Sequence, residues 1–406
     1  MASTLYIHGD PFCMGLQMKV LVLGMGLMGP TIARDCCADP EVTKVTGCDI
    51  DAVKLEEAKK YVDSSKFDTA VVSVTDHEAL VEAMKGYDLA IHGTASRFSL
   101  NALRAAIEAK IDILDLAGGG YPQEGNIYDE VEKAGITAMP GCGVDPGLID
   151  ILSGQAIRML DQAEEVMFAC GGLPKDPKPP LDYKIVFGGT RMPVRPGKVP
   201  MIVDGERLEM GRYSEVESIF VAGLEPMEAF VDGYPSSLLK LCMEKGVQNF
   251  RGKTIRYSGF VDKIMFLNDL GLISEEPVDY EGLKVVPREL FHKIIYPLVR
   301  FDTSEGDRDL TVLLVRVSGG KDGKDMNINY DMVDFYEEEK QITSMAKTTG
   351  YTAAIIARML GRGVIKQKGI QWPVQVIYGE LCEELLESLK ERGVIVTETV
   401  TTTRTL

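Results

Sequence analysis

From Met18 onward, the apolar positions alternate between two rhythms. Short apolar runs at Lys19–Leu23, Lys44–Cys48, Thr69–Ser73, Leu89–His92, Ile111–Leu116 and Ile136–Met139 have the length and composition of strands. Between them, apolar residues recur at three- and four-residue spacing. This predicts a helix directly after the glycines that follow Leu23, then helices over Ala52–Tyr61, His77–Met84, Leu100–Ala109 and Ile127–Ala134. Strands alternating with helices predict an α/β protein whose first domain is a doubly wound, Rossmann-type parallel sheet.

After Pro140 the rhythm changes to longer strands and proline-rich connections such as Lys175–Pro180. That change predicts a second, α+β domain for substrate binding and dimerisation. Thr311–Ser318 and Met326–Tyr336 read as a hairpin joined through Gly319–Gly323. Helices over Tyr351–Leu360 and Gly379–Arg392 are expected to return to the first domain. The expected division is 1–17 as a leader or upstream start, 18–141 as the dinucleotide domain and 142–345 as the second domain. Residues 346–396 are the returning helices, and 397–406 a frayed tail.

Composition narrows the partners. A formal net charge of −17 would repel phosphate backbones, so nucleic acid is not expected as a partner. No apolar run reaches the roughly 20 residues that cross a bilayer, so neither is a membrane. Eight scattered cysteines without a CxxC pair, and only four histidines, give a metal site little to draw on. The thiols read as reduced residues of a cytoplasmic protein. Exposed strand edges in the second domain predict a homodimer.

The chemistry begins at Gly24-Met25-Gly26-Leu27-Met28-Gly29, a GxGxxG placed between a strand and a helix. Gly24 permits the tight turn, Gly26 the close approach of a pyrophosphate, and Gly29 the packing of helix on strand. The helix N-terminus then offers free amides to the phosphates. About 20 residues on, Asp49 ends the second strand. It is placed to bind the ribose hydroxyls and to repel a 2′-phosphate, which favours NAD over NADP; otherwise it caps the helix beginning near Ala52. At the fourth strand's end, Thr94 and Ala95 either pass close to the cofactor, or Thr94 and Ser96 cap the helix containing Leu100.

The junction Gly141-Cys142-Gly-Val-Asp145-Pro146-Gly147 follows the sixth strand and faces the cleft above the strand ends. Asp145 is either a group in that cleft or a helix N-cap with proline at the first helical position. Cys142 either lines the pocket or is an inert core residue.

Together with Cys170-Gly-Gly-Leu-Pro174, Lys253-Thr-Ile-Arg256-Tyr257-Ser-Gly259 and Thr349-Gly-Tyr-Thr-Ala-Ala, this junction resembles the saccharopine dehydrogenase-like family, above all its lysine 6-dehydrogenase branch. The resemblance implies that Arg256, with Tyr257 beside it, binds a substrate carboxylate, and that Cys142 and Asp145 line the same pocket. Tyr183 is a further pocket candidate. It implies a small amino-acid substrate oxidised at the carbon bearing nitrogen, with lysine's ε-amine giving an aldehyde that cyclises to an imine. Asp145 then serves as proton acceptor or ammonium anchor. A secondary amine is the alternative and would need two cationic anchors, for which Arg191 and Arg195 are candidates. From another class, the chain would bind NAD without turnover.

Overall fold

The computed structural model describes residues 17–118, 121, 126–195, 197–233 and 236–403; the proposed leader lies almost wholly outside them. The first domain runs β1 (Met18–Leu23), α1 (Gly29–Ala38), β2 (Val42–Asp49), α2 (Ala52–Val62), β3 (Phe67–Val71), α3 (His77–Met84), β4 (Leu89–His92), α4 (Ser99–Ala109), β5 (Asp112–Asp115), α5 (Ile127–Ala134) and β6 (Thr137–Pro140). The strands stand in the order β6-β5-β4-β1-β2-β3, all parallel. The strand order reverses between β1 and β4, which opens a crevice above their C-terminal ends. In β1 every residue but Lys19 is buried, as in a sheet covered on both faces.

The second domain opens with α6 (Leu148–Met159) and the long strand β7 (Gln162–Pro174). It continues through β8 (Lys198–Val203), β9 (Glu206–Gly211), β10 (Glu217–Ile219), β11 (Met227–Val231), α7 (Ser236–Glu244), β12 (Asn249–Tyr257) and α8 (Phe260–Asp269). A small hairpin, β13 (Val278–Tyr280) and β14 (Leu283–Val285), then leads to α9 (Pro287–Val299), β15 (Asp309–Lys321) and β16 (Lys324–Phe335). The mixed sheet has the order β10-β11-β12-β7-β15-β16, with β8 and β9 branching from β12. The β15–β16 strands run further than expected: Lys321 pairs with Lys324, leaving the two-residue turn Asp322-Gly323, both at positive φ.

The chain returns through α10 (Ser344–Gly361), β17 (Gly369–Ile370), α11 (Pro373–Val376) and α12 (Glu380–Glu391). Strand β17 extends the first sheet beside β6. Buried Asp309 fixes the start of α10, its carboxylate accepting from the amides of Ser344 (2.8 Å) and Met345 (2.9 Å). Helix α10 lies against α1 closely enough that a Cβ at Gly350 would stand 3.2 Å from Thr31 Cγ2. Arg358 holds the pair together through Asp35 (2.9 Å) and Asp39 (3.2 Å). The tail expected to fray instead forms β18 (Thr397–Thr403), antiparallel to β16 over its whole length. Its threonines are β-branched and favour an extended edge strand over a loose end. Among the described residues, no helix is long and apolar enough to cross a membrane.

Candidate active site

The geometry of the glycine loop fits the uses its spacing predicts. Gly24 has φ +98°, and a Cβ there would stand 2.8 Å from Thr94 Cγ2. A Cβ at Gly29 would fall 1.9 Å from the carbonyl oxygen of Gly24, so only glycine lets α1 start so close to the turn. Gly26 has no protein atom within 4 Å of such a Cβ: it borders open space, where a pyrophosphate can approach. The cap residue of α1, Met28, brings no side-chain acceptor, so the first-turn amides remain open to an anion.

Asp49 faces this loop. One carboxylate oxygen accepts from Met25 N (2.8 Å) and the other from Asp51 N (3.0 Å). The helix cap is Asp51, whose side chain accepts from Val53 N. Asp49 is therefore free of capping duty, and each of its oxygens retains a lone pair for a ribose hydroxyl. The Met25 side chain is buried beneath the loop, Leu27 is half-buried beneath Gly188 of the second domain, and Met28 lines the cleft. The residues present thus fit a dinucleotide.

The cleft itself has a volume of about 610 Å³ and continues into a second recess of about 470 Å³. Thr94, Asp145, Cys170, Arg195, Asp232, Thr254 and Arg256 all line the first part. Arg195, Lys198 and Arg212 line the recess, which shares Asp145 and Asp232 with it.

Strand alternation places Thr254 and Arg256 on the cleft side of β12 and turns Ile255 and Tyr257 to the opposite face. The guanidinium of Arg256 is buried and lies over the rings of Tyr183 (4.9 Å) and Phe260 (5.8 Å). Its Nη1 donates to the carbonyl of Ile255, and no carboxylate stands within ion-pair distance among the described residues. Asp145 is likewise without a hydrogen-bond or ion-pair partner among those residues. It is open to solvent through the cleft, yet protein walls it in. The resulting loss of hydration and the nearby Asp232 charge push its pKa up to about 6, against the opposing pull of Arg195 and Arg256. Asp232 is already committed: it pairs with Arg212, lies 4.0 Å from Arg195, and accepts from Thr254 Oγ1 at 2.9 Å.

Several expected site residues lie elsewhere. Tyr257 points away from the cleft, its hydroxyl donating to the Pro174 carbonyl at 2.7 Å. Tyr183 does not line the wall; it backs Arg256 from a separate apolar cluster. Cys142 is fully buried, its thiol directed at the Met139 carbonyl and its pKa raised well above the ordinary range by burial. The cysteine that reaches the cleft is Cys170. Ala95 is exposed and outside the lining. Asp145 is no N-cap: α6 begins after Gly147, whose amide donates to Asp150 at 2.9 Å. Arg191 pairs with Glu289 at the surface, whereas Arg195 reaches both cleft and recess.

This architecture has a known counterpart. Residues 20–139 match the saccharopine dehydrogenase NADP binding domain, and residues 143–394 the saccharopine dehydrogenase C-terminal domain. The chain belongs to the saccharopine dehydrogenase family. It is 25% identical over 473 residues to the mitochondrial alpha-aminoadipic semialdehyde synthase of Bos taurus, covering 96% of this chain and 48% of that one. The chain thus spans about half the length of that synthase. It is also 25% identical to the carboxyaminopropylagmatine dehydrogenase of Synechocystis, covering 87% of this chain and 91% of that one. The apo structure of saccharopine dehydrogenase (L-Glu forming) from Saccharomyces cerevisiae shares the fold, with a TM-score of 0.75 at 20% identity, covering 95% of this chain and all of that one.

Proposed function

We propose that this protein is an NAD-dependent dehydrogenase that oxidises a carbon–nitrogen single bond in a secondary amine carrying a carboxylate on each arm. One observation carries the reading. The cleft above the glycine loop holds a guanidinium fork, Arg256, and a carboxylate, Asp145, both unpaired among the described residues, and opens into a recess bearing Arg195 and Lys198. Arg256 suits bidentate capture of one carboxylate, and the cations of the recess suit the second. The names of relatives, which include saccharopine and carboxynorspermidine enzymes, fit a nitrogen joining two chains. Lysine's ε-amine, the substrate expected from the sequence, needs only the first anchor and would leave the recess without a task.

When bound, the nicotinamide supplies the hydride acceptor. Only a neutral amine has the lone pair that expels hydride, and an alkylammonium such as lysine's has a pKa of about 10.4 in water. Asp145, ionised above about pH 6, stands ready to take that proton. Asp49 favours NAD because its charge opposes a 2′-phosphate.

The deciding assay follows reduced-nicotinamide absorbance with saccharopine, carboxynorspermidine and lysine, each with NAD and with NADP. A secondary amine with NAD is expected to turn over fastest. Preference for lysine would sink the two-anchor reading. Calorimetric dinucleotide binding without reduction by any amine would favour a non-catalytic binder. Asp145→Asn should lower kcat by roughly 10²–10⁴-fold. It should also remove the fall in rate that the parent shows as the pH drops through about 6, where Asp145 takes up its proton. An unchanged profile would remove Asp145 from the chemistry.

Self-association into a homodimer belongs to the same proposal. Leu290, Ile294 and Leu298 recur every fourth residue on α9 and are each more than half exposed, as are Tyr280 and Leu283 on the neighbouring hairpin. Light scattering should report a dimer that Ile294→Glu converts to monomer. A monomeric parent at micromolar concentration would refute this.

A further inference from the structure

His92, at the end of β4, is fully buried and takes no part in the chemistry described so far. Its Nε2 lies 2.5 Å from Thr94 Oγ1. On the other side, its Nδ1 lies 3.1 Å from Oδ1 of Asp115, the residue paired with it across the parallel β4–β5 ladder. Asp115 is itself 1% exposed. The Nδ1–Oδ1 pair is within ion-pair reach but is not aligned as a hydrogen bond, and Nδ1 has no other hydrogen-bond partner among the described residues. Thr94 closes the series at the cleft wall. Its methyl is held against Gly24, where a Cβ would leave only 2.8 Å.

Two other groups lie near Asp115, Tyr121 and Cys142, and burial together with the Asp115 charge holds both protonated and neutral. The His92 ring is the group that stands between Asp115 and Thr94. An Nδ1–H turned toward Asp115 leaves Nε2 as an acceptor, and Thr94 O–H then donates to it. The lone pairs of the Thr94 hydroxyl are then free to accept from a group in the cleft that Thr94 lines.

We propose that Thr94, His92 and Asp115 form a proton relay that activates water in the hydrolytic half of the reaction, an inference that rests on the amine reading above. Water attacks the carbon of the oxidised C=N bond. A C–O bond forms, and the C=N π electrons move to nitrogen. The water proton passes to Thr94 Oγ1 as the hydroxyl's own proton passes to His92 Nε2, and the imidazolium so formed faces the Asp115 carboxylate. The same proton returns through Thr94 to the substrate nitrogen. The C–N bond then breaks, the C=O bond closes, and the remaining hydroxyl proton leaves on the freed amine. Thr94 is the group that touches the reacting water; His92 and Asp115 are positioning residues behind it.

Thr94→Val keeps the methyl packing and removes the hydroxyl, whereas Thr94→Ser keeps the hydroxyl. The valine variant should lose roughly 10²-fold or more in kcat with little change in KM. Its primary isotope effect, measured with substrate deuterated at the oxidised carbon, should fall to unity because hydrolysis becomes limiting. Serine should restore both. Nitrogen-15 spectra of the imidazoles, recorded without substrate, should show His92 protonated at Nδ1 and bare at Nε2. Unchanged turnover in the valine variant, slowed turnover with the isotope effect retained, or a His92 protonated at Nε2 would each overturn the relay. A parent enzyme that oxidises no amine would instead overturn the underlying reading, and the hydrolytic role with it, whatever the spectra show.

Discussion

Replacing Arg256 by methionine is expected to raise KM for the amine substrate steeply and to lower kcat/KM by about 30- to 4,000-fold, while dinucleotide affinity stays at the parent value. The size follows from the 2–5 kcal/mol that truncating one partner of a buried charge pair costs, at about 1.4 kcal/mol per tenfold. On the two-anchor proposal the missing partner is the substrate carboxylate, because no carboxylate among the described residues pairs with the fork. Stability should move the other way or not at all. A buried guanidinium without a counter-ion is an expense to the fold, and an apolar side chain of similar length suits the Tyr183 and Phe260 rings beneath it. Arg256→Lys keeps the charge but loses the planar fork, so most of the defect should persist. Steady-state kinetics together with thermal melts separate the outcomes. A methionine variant with parental KM would mean that the carboxylate binds elsewhere.

The first domain was readable because its hydrophobic period switches cleanly from strand to helix. Strand Leu89–His92 and helices His77–Met84 and Ile127–Ala134 have the expected bounds, and the other elements shift by one or two residues at their ends. The glycine loop was equally legible, since Gly24 and Gly29 answer steric demands that spacing alone announces and Gly26 borders open space. Asp49 and Asp51 were harder to tell apart. Their duties separate only when the backbone shows which carboxylate meets Val53 N and which meets Met25 N.

The second domain was legible in kind but not in facing. Placing Arg256 in the cleft already implied that Tyr257 points away, because neighbours on a strand face opposite sides, and that Thr254 points in. That signal is present in the sequence. Asp232 carried no such signal: it joins the site through the β11–β12 pairing, where Val231 meets Lys253. His92 and Asp115 are likewise 23 positions apart and meet only because β4 and β5 are in parallel register. Cys142 looked like a pocket residue because its neighbours are. Its backbone sits at the cleft junction, but its side chain turns into the core.

Two alanine substitutions in the glycine loop should separate folding from binding. A methyl at Gly29 meets the Gly24 carbonyl oxygen at 1.9 Å, backbone against backbone, with no flexible side chain to yield. Gly29→Ala should therefore destabilise the fold by about 1–3 kcal/mol or more, and dinucleotide binding should fail along with it. A methyl at Gly26 meets nothing within 4 Å, so Gly26→Ala should melt like the parent. Its defect should appear only when the dinucleotide is added. The methyl then occupies the approach of the pyrophosphate, and overpacking of about 1–3 kcal/mol corresponds to roughly a 5- to 150-fold loss of affinity by calorimetry. The contrast is what tests the site, because a loop that merely turned the chain would tolerate alanine at Gly26 with or without the ligand. Parental dinucleotide affinity in Gly26→Ala would mean that the phosphates do not cross this turn, and the cleft lined by Thr94 and Asp145 would lose its claim to nicotinamide chemistry.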